Sequence, residues 1–258
     1  MEAALLLIGN ELLSGKIQEA NLAHLAHTLR KHGVALRRSV MVPDELPIIE
    51  AEVRGLSRSY TWLFTSGGVG PTHDDVTMVG VARAYGVDVI LHPQLAAMIR
   101  ARYGDRCSEG HLRMAMVPAG AALETSTGTV PPTTAGGAAE APDEWPAVRI
   151  ENTWILPGVP EAFRMKLEIV AATLRRSGGG PAFVSLAVYT QLDEAGLIPA
   201  LEQVVAAHPQ VEIGSYPKWF DPTYRTKLTF DGRDETVVRA ARDAFVALLP
   251  PGEPQRIE

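Results

Sequence analysis

The sequence has little of several things that would have decided its class at once. It holds a single cysteine, Cys107, so no disulfide can close within these residues, and a reducing compartment is expected. No apolar run is long. Residues 3–8 (AALLLI) fall far below the roughly 20 residues that a bilayer requires. The opening residues show no basic stretch ahead of an apolar segment and a small-residue cleavage site, so neither a membrane nor a secretion route is expected, and a cytoplasmic location is. Basic residues are outnumbered, 24 Lys and Arg against 30 Asp and Glu, and a formal net charge of −6 argues against nucleic acid as a partner, because that usually needs a basic face.

Familiar site motifs are missing as well. No G-x-G-x-x-G follows the first apolar run, which disfavours a dinucleotide-binding Rossmann unit. Residues 9–16 (GNELLSGK) imitate a phosphate-binding P-loop, but five residues separate the glycines and Ile17 stands where Ser or Thr is needed. No Cys or His cluster has zinc-ligand spacing; His24, His27 and His32 fall on or beside one helix and read as surface or packing residues. There is no G-x-S-x-G elbow for a serine hydrolase.

What is present is alternation. Apolar residues 3–8 read as a buried strand, and Leu22, Leu25, Ala26 and Leu29 recur at the spacing of a helix that Gly33 ends. Strands are expected at 35–42, 60–65 and 149–156, and helices at 48–58, 75–85 (closed by Gly86), 94–102 and 160–176. This order predicts an α/β fold of three layers with a mostly parallel sheet. Residues 128–146, poor in large apolar side chains and rich in Pro, Gly and Ala, read as a mobile surface loop within a first domain of residues 1–177. SGGGP at 177–181 marks a boundary. Residues 181–250 then give strand, helix, strand, strand, helix, a small α+β domain.

The stretch TSGGVGPTHDDVT, residues 65–77, carries the most chemistry. Gly67, Gly68 and Gly70 permit positive φ and close approach of a ligand to backbone N–H groups, and a helix N-terminus follows. Asp74 or Asp75 could instead be a plain N-cap, although a cap needs one aspartate and no glycines. Asp44, in VPDEL after the second strand, has the same two readings. Phosphate beside carboxylates is repelled unless a cation lies between them. A hard divalent ion held by one or two carboxylates, with its other contacts on phosphate oxygens, removes that conflict.

Four ordered stretches carry a resemblance: residues 8–34 (IGNELLSGKIQEANLAHLAHTLRKHGV), 39–45 (SVMVPDE), 65–77, and 156–163 (LPGVPEAF). Together they resemble the MoaB/Mog-like molybdopterin-binding domain, nearest to CinA-type proteins and the corresponding part of eukaryotic FAD synthase. IGSYPKW and YRTKLTF, at 213–219 and 224–230, look like the small second domain of the same proteins. The resemblance implies that Asp75 takes the position of the family's central aspartate and Asp44 that of its other functional acid, both metal ligands, with Asp74 as a further catalytic candidate. It implies that Ser66, Gly67, Gly68, Gly70 and Thr72 contact phosphate. Asn10, Glu11, Ser14 and Asn21 would line the pocket, with a cap or packing role equally open for Ser14 and Asn21. Pro157 and Gly158 would shape its far wall or form an ordinary loop.

The implied activity is metal-dependent hydrolysis of the pyrophosphate in ADP-ribose, FAD or a related dinucleotide, releasing AMP, with Mg²⁺, Mn²⁺ or Co²⁺. A homo-oligomer is implied too. Val79 stands where a glutamate is usual, which favours the alternative of a pterin- or nucleotide-binding protein without turnover. Molybdopterin adenylyltransferase is a third reading, weakened because Met78–Val79 replaces Pro-Glu. The amidohydrolase domain of full CinA proteins and the FAD-forming domain of FAD synthase are not recognisable here, so those activities are not expected.

Overall fold

The computed structural model describes residues 1–131 and 144–258; residues 132–143 of the expected loop lie outside the described residues. Contacts divide the chain into two compact units, Met1–Gly180 and Pro181–Glu258.

The first unit runs β1 (Glu2–Ile8), α1 (Asn10–Leu13), α2 (Asn21–Lys31), β2 (Ala35–Val42), α3 (Leu46–Ser59), β3 (Trp62–Ser66), α4 (Thr77–Tyr85), β4 (Val89–Leu91), α5 (Pro93–Tyr103), α6 (Glu109–Leu112), β5 (Met116–Pro118), β6 (Ala122–Glu124), β7 (Ala147–Ile150), β8 (Thr153–Leu156) and α7 (Pro160–Arg176). Its main sheet has the order β2-β1-β3-β8-β7-β6. β1 lies parallel to β2 and β3, and β3 parallel to β8; β7 and β6 are antiparallel additions. β1 explains why its sequence is apolar without a break, because side chains alternate between faces and both faces are covered. Ala4, Leu6 and Ile8 pack with Ile49 and Val53 of α3 and Val81 of α4. Ala3, Leu5 and Leu7 pack with Leu25 and Leu29 of α2 and Phe163 and Val170 of α7. The result is the expected three-layer α/β fold with a mostly parallel sheet.

Three local expectations are corrected. Residues 149–156 are not one strand but the antiparallel hairpin of β7 and β8, with Ile150 paired to Thr153. Glu151 turns the chain at φ 47°, and the Asn152 amide donates to the carbonyls of Ser57 (2.8 Å) and Tyr60 (3.0 Å). Both strands are largely buried, and the polar turn between them, Glu151–Asn152, has neither glycine nor proline to mark it. Second, α4 begins at Thr77, after Val76, and neither Asp74 nor Asp75 caps it. Third, α3 begins at Leu46 with no side-chain cap, so Asp44 is not its N-cap. Gly86 closes α4 in the left-handed conformation, as its position predicts.

The second unit comprises β9 (Val184–Thr190), α8 (Glu194–Ala207), β10 (Glu212–Pro217), β11 (Thr226–Gly232), α9 (Glu235–Ala247) and β12 (Arg256–Ile257). Its antiparallel sheet has the order β10-β11-β9-β12. Val188, Leu228 and Phe230 of the sheet meet Leu197 and Val204 of α8 and Val238 and Phe245 of α9. β12 carries the unit past residue 250, since Glu258 and Ala187 exchange backbone hydrogen bonds of 2.8 Å in both directions. Among the described residues no helix is long and apolar enough to cross a membrane.

Candidate functional site

In a parallel sheet the loops beyond the carboxyl ends of the strands converge on one edge. Here β1 leads to Gly9–Asn10, β2 to Pro43–Asp44, β3 to the glycine turn, and β8 to Pro157–Gly158. The glycine turn is locked into this edge by close backbone contact. Gly67 has φ 108° and donates its N–H to Leu156 O at 3.2 Å. A Cβ on Gly67 would stand 2.1 Å from Ile8 O, and one on Gly158 would stand 3.2 Å from the Gly67 Cα. Gly68 sits at φ 64°, and there a Cβ would meet Thr77 Oγ1 at 2.4 Å.

Thr77, to which the sequence reading gave no role, is the clamp. It is fully buried; its hydroxyl donates to Gly67 O (2.8 Å) and its N–H to Gly68 O (3.0 Å). With those carbonyls held by α4, the N–H groups of Gly68, Val69 and Gly70 have no partner among the described residues. Replacing Thr77 by Val removes the hydroxyl and leaves Gly67 O short of its donor. We expect a loss of about 1–3 kcal/mol, read as a lower denaturant midpoint with an unchanged slope.

The aspartates are organised by Thr72. Asp75 Oδ2 accepts from Thr72 N at 2.7 Å and from the Thr72 hydroxyl, while Asp74 Oδ1 lies 2.6 Å from the same hydroxyl. That hydroxyl has one proton, so it serves one carboxylate at a time. The Thr72 hydrogen bond, then a backbone one, holds the exposed Asp74 carboxyl below its ordinary range. Thr72 therefore commits its hydroxyl proton and its N–H to the aspartates. Asp44 reaches across to α1, where its Oδ2 accepts from Asn10 N at 2.8 Å.

A cavity of about 500 Å³ lies against the turn. Of the expected residues, Glu11, Asn21, Ser66, Gly67, Gly68 and Gly70 line it, and Asp75, Pro157 and Gly158 complete that wall. Asn10, Ser14, Asp44, Thr72 and Asp74 do not line it. The Ser14 hydroxyl is spent on Glu11 O within its own turn (3.2 Å). Asn21, only 4% exposed, resolves to packing: its amide donates to Ser66 Oγ (2.9 Å) and Gly158 O (2.8 Å), stapling α2 to the ends of β3 and β8. Glu19 was missed. Its Oε1 accepts from Asn21 N (2.5 Å) and Leu22 N (3.0 Å), capping α2 from two residues before it, a signal present in the sequence as an acid just ahead of the helix.

Asp44 Oδ1 and Asp75 Oδ2 lie 3.6 Å and 2.7 Å from where Cβ atoms on Gly68 and Gly70 would stand, so two carboxylates border the turn. Among the described residues no group of three or more His, Cys, Asp or Glu is gathered to hold an ion alone. Such a pair fits a hard divalent cation that fills its remaining positions with water and phosphate oxygens.

Comparison with known proteins gives consistent results for both units. The family described as a probable molybdopterin binding domain matches residues 4–176, and that described as the FAD synthase middle domain matches 182–257. A protein of Archaeoglobus fulgidus is 31% identical over 249 residues, covering 96% of this chain and 98% of that one. A probable FAD synthase of Caenorhabditis briggsae is 29% identical over 257 residues, covering 96% of this chain and 49% of that protein, so this chain spans about half of it. The crystal structure of CinA from Thermoplasma acidophilum, a protein of unknown function, aligns with a TM-score of 0.56 at 28% identity, covering 67% of this chain and 99% of that one.

Proposed function

The chain belongs to the molybdopterin-binding domain family, and on that premise we propose that it is a metal-dependent pyrophosphohydrolase of ADP-ribose, FAD or a related dinucleotide. The supporting observation is the convergence at one sheet edge of three unpartnered glycine-turn amides and two carboxylates. The relative named as a probable FAD synthase supports an adenine dinucleotide as substrate.

In this reading the N–H groups of Gly68, Val69 and Gly70 donate to oxygens of the bridging diphosphate, where their fixed dipoles meet developing negative charge. Asp44 and Asp75 hold a divalent ion, Mg²⁺, Mn²⁺ or Co²⁺. When bound, that ion neutralises phosphate charge and makes water a better nucleophile at neutral pH. Thr72 keeps the Asp75 carboxylate turned to Gly70 and is a positioning residue. Water is consumed as one P–O bond of the bridge breaks, giving AMP and ribose 5-phosphate from ADP-ribose, or AMP and FMN from FAD. Purified protein incubated with each substrate and each ion should release AMP. Intact substrate with all three ions would refute the proposal.

Val79, in the first turn of α4, favours a second reading: binding of a pterin or nucleotide without turnover. Val79→Glu separates the two. If the native chain is a binder that lost its glutamate, the variant should gain AMP release by at least about tenfold; unchanged release argues that this site works without a glutamate there.

A further inference from the structure

The second unit contains a cleft that the proposed reaction does not use. It measures about 690 Å³ and lies between the start of α8 and residues 217–226, the connection from β10 to β11. This connection is tightly built. The Lys218 ammonium pairs with Asp221 Oδ2 and lies over the Tyr224 ring, 5.1 Å from its centroid. The Asp221 carboxylate also accepts from Thr223 N at 2.8 Å, and Lys218 N donates to Arg225 O at 2.7 Å. What this framework holds out is two aromatic side chains: Trp219 is 79% exposed and Phe220 is 99% exposed. Phe220 stands at φ 68°, a region that a bulky L-residue rarely occupies and that persists only when its surroundings impose it.

The other polar side chains of the cleft are already committed. Gln191 donates to Pro222 O, Asp193 caps Gly196 N, Glu194 accepts from Ser215, and Thr226 donates to Leu192 O. Arg225 is the exception, for its guanidinium has no partner among the described residues. The cleft therefore offers two unsupported aromatic rings and one free cation. Rings stack on rings with little regard to their identity, and a guanidinium forks onto a phosphate.

We infer that this cleft binds a planar heteroaromatic ring bearing a phosphate, with the ring on Trp219 and Phe220 and the phosphate on Arg225. The inference does not rest on the metal-dependent reading of the first unit. Equilibrium dialysis of the full chain with FMN, in chelator so that the first site is weakened, tests it, the Trp219 and Arg225 variants assigning the binding to this cleft. The native chain should bind FMN, with AMP competing and riboflavin binding about tenfold more weakly for want of the phosphate. Trp219→Leu and Arg225→Gln should each weaken FMN by about tenfold, whereas Trp219→Phe, which keeps a ring, should stay within about threefold. Both changed residues are exposed, so thermal midpoints should not move. No FMN binding at millimolar concentration, or equal affinity in the Leu and Gln variants, would overturn the inference. A change in self-association with no FMN binding would also overturn it, by assigning the rings to a protein contact.

Discussion

Asp75→Ala is expected to lower AMP release by at least about a thousandfold while leaving the fold intact. The carboxylate makes one set of local hydrogen bonds, to Thr72, and lies on the cavity wall against Gly70. It supports no core contact, so its loss removes chemistry and not packing. If it holds the ion, its loss leaves Asp44 as the other carboxylate recorded against a glycine of the turn among the described residues, and one Asp44 oxygen is already engaged by Asn10 N. Losing one ligand from a pair should remove most of the metal's contribution, typically several kcal/mol of barrier. Asp74→Ala supplies the control. That carboxylate is exposed and off the cavity, and its removal should cost no more than about fivefold. Steady-state AMP release by the two variants checks the assignment; equal effects would mean that the wrong aspartate has been placed at the metal.

Gly67→Ala is expected to destabilise the first unit by about 3 kcal/mol or more and to abolish nucleotide binding. Two effects add. At φ 108° an alanine is strained wherever it is, and here its Cβ would also stand 2.1 Å from Ile8 O. Ile8 ends β1, a strand paired on both sides, so the oxygen cannot move without disturbing β1. The turn must move instead, which breaks the Thr77 bonds and misplaces the free amides. Gly86→Ala separates strain from collision. It has φ 69° but nothing within 4 Å of a new Cβ, so it should cost only about 1 kcal/mol and leave binding unchanged. Denaturant melts of both variants, with nucleotide binding measured alongside, check the pair.

The contrast between legible and hidden features has a physical basis. The strand–helix alternation could be read because period and composition are local, and the glycine turn stood out because three glycines in four residues rarely serve packing alone. Partners chosen by the fold could not be read. Asp44 looked like a cap for the helix that follows it, yet it serves Asn10, 34 positions away, because β1 and β2 are neighbours and their ends meet. Thr77 fell inside the expected helix with no role, and its two bonds to the glycine carbonyls exist only after α4 is docked. Thr72 lies beside the aspartates in sequence, yet that both carboxylates would converge on its one hydroxyl depends on how the turn folds back. The hairpin of β7 and β8 was hidden as well. Its two-residue turn, Glu151–Asn152, has neither glycine nor proline to announce it, and relies on Asn152 reaching α3 and the residue after it.

The central claim is that carboxylates and glycine amides hold one ligand between them through a divalent ion. Titration of AMP into the protein with Mn²⁺, and again with chelator, tests it most directly. Coupling between two ligands is reciprocal, so Mn²⁺ should tighten AMP and AMP should tighten Mn²⁺ by the same factor, about tenfold or more, and the double change Asp44→Ala, Asp75→Ala should erase that coupling. AMP binding that is equally tight in chelator, or coupling that survives the double change, would contradict the account.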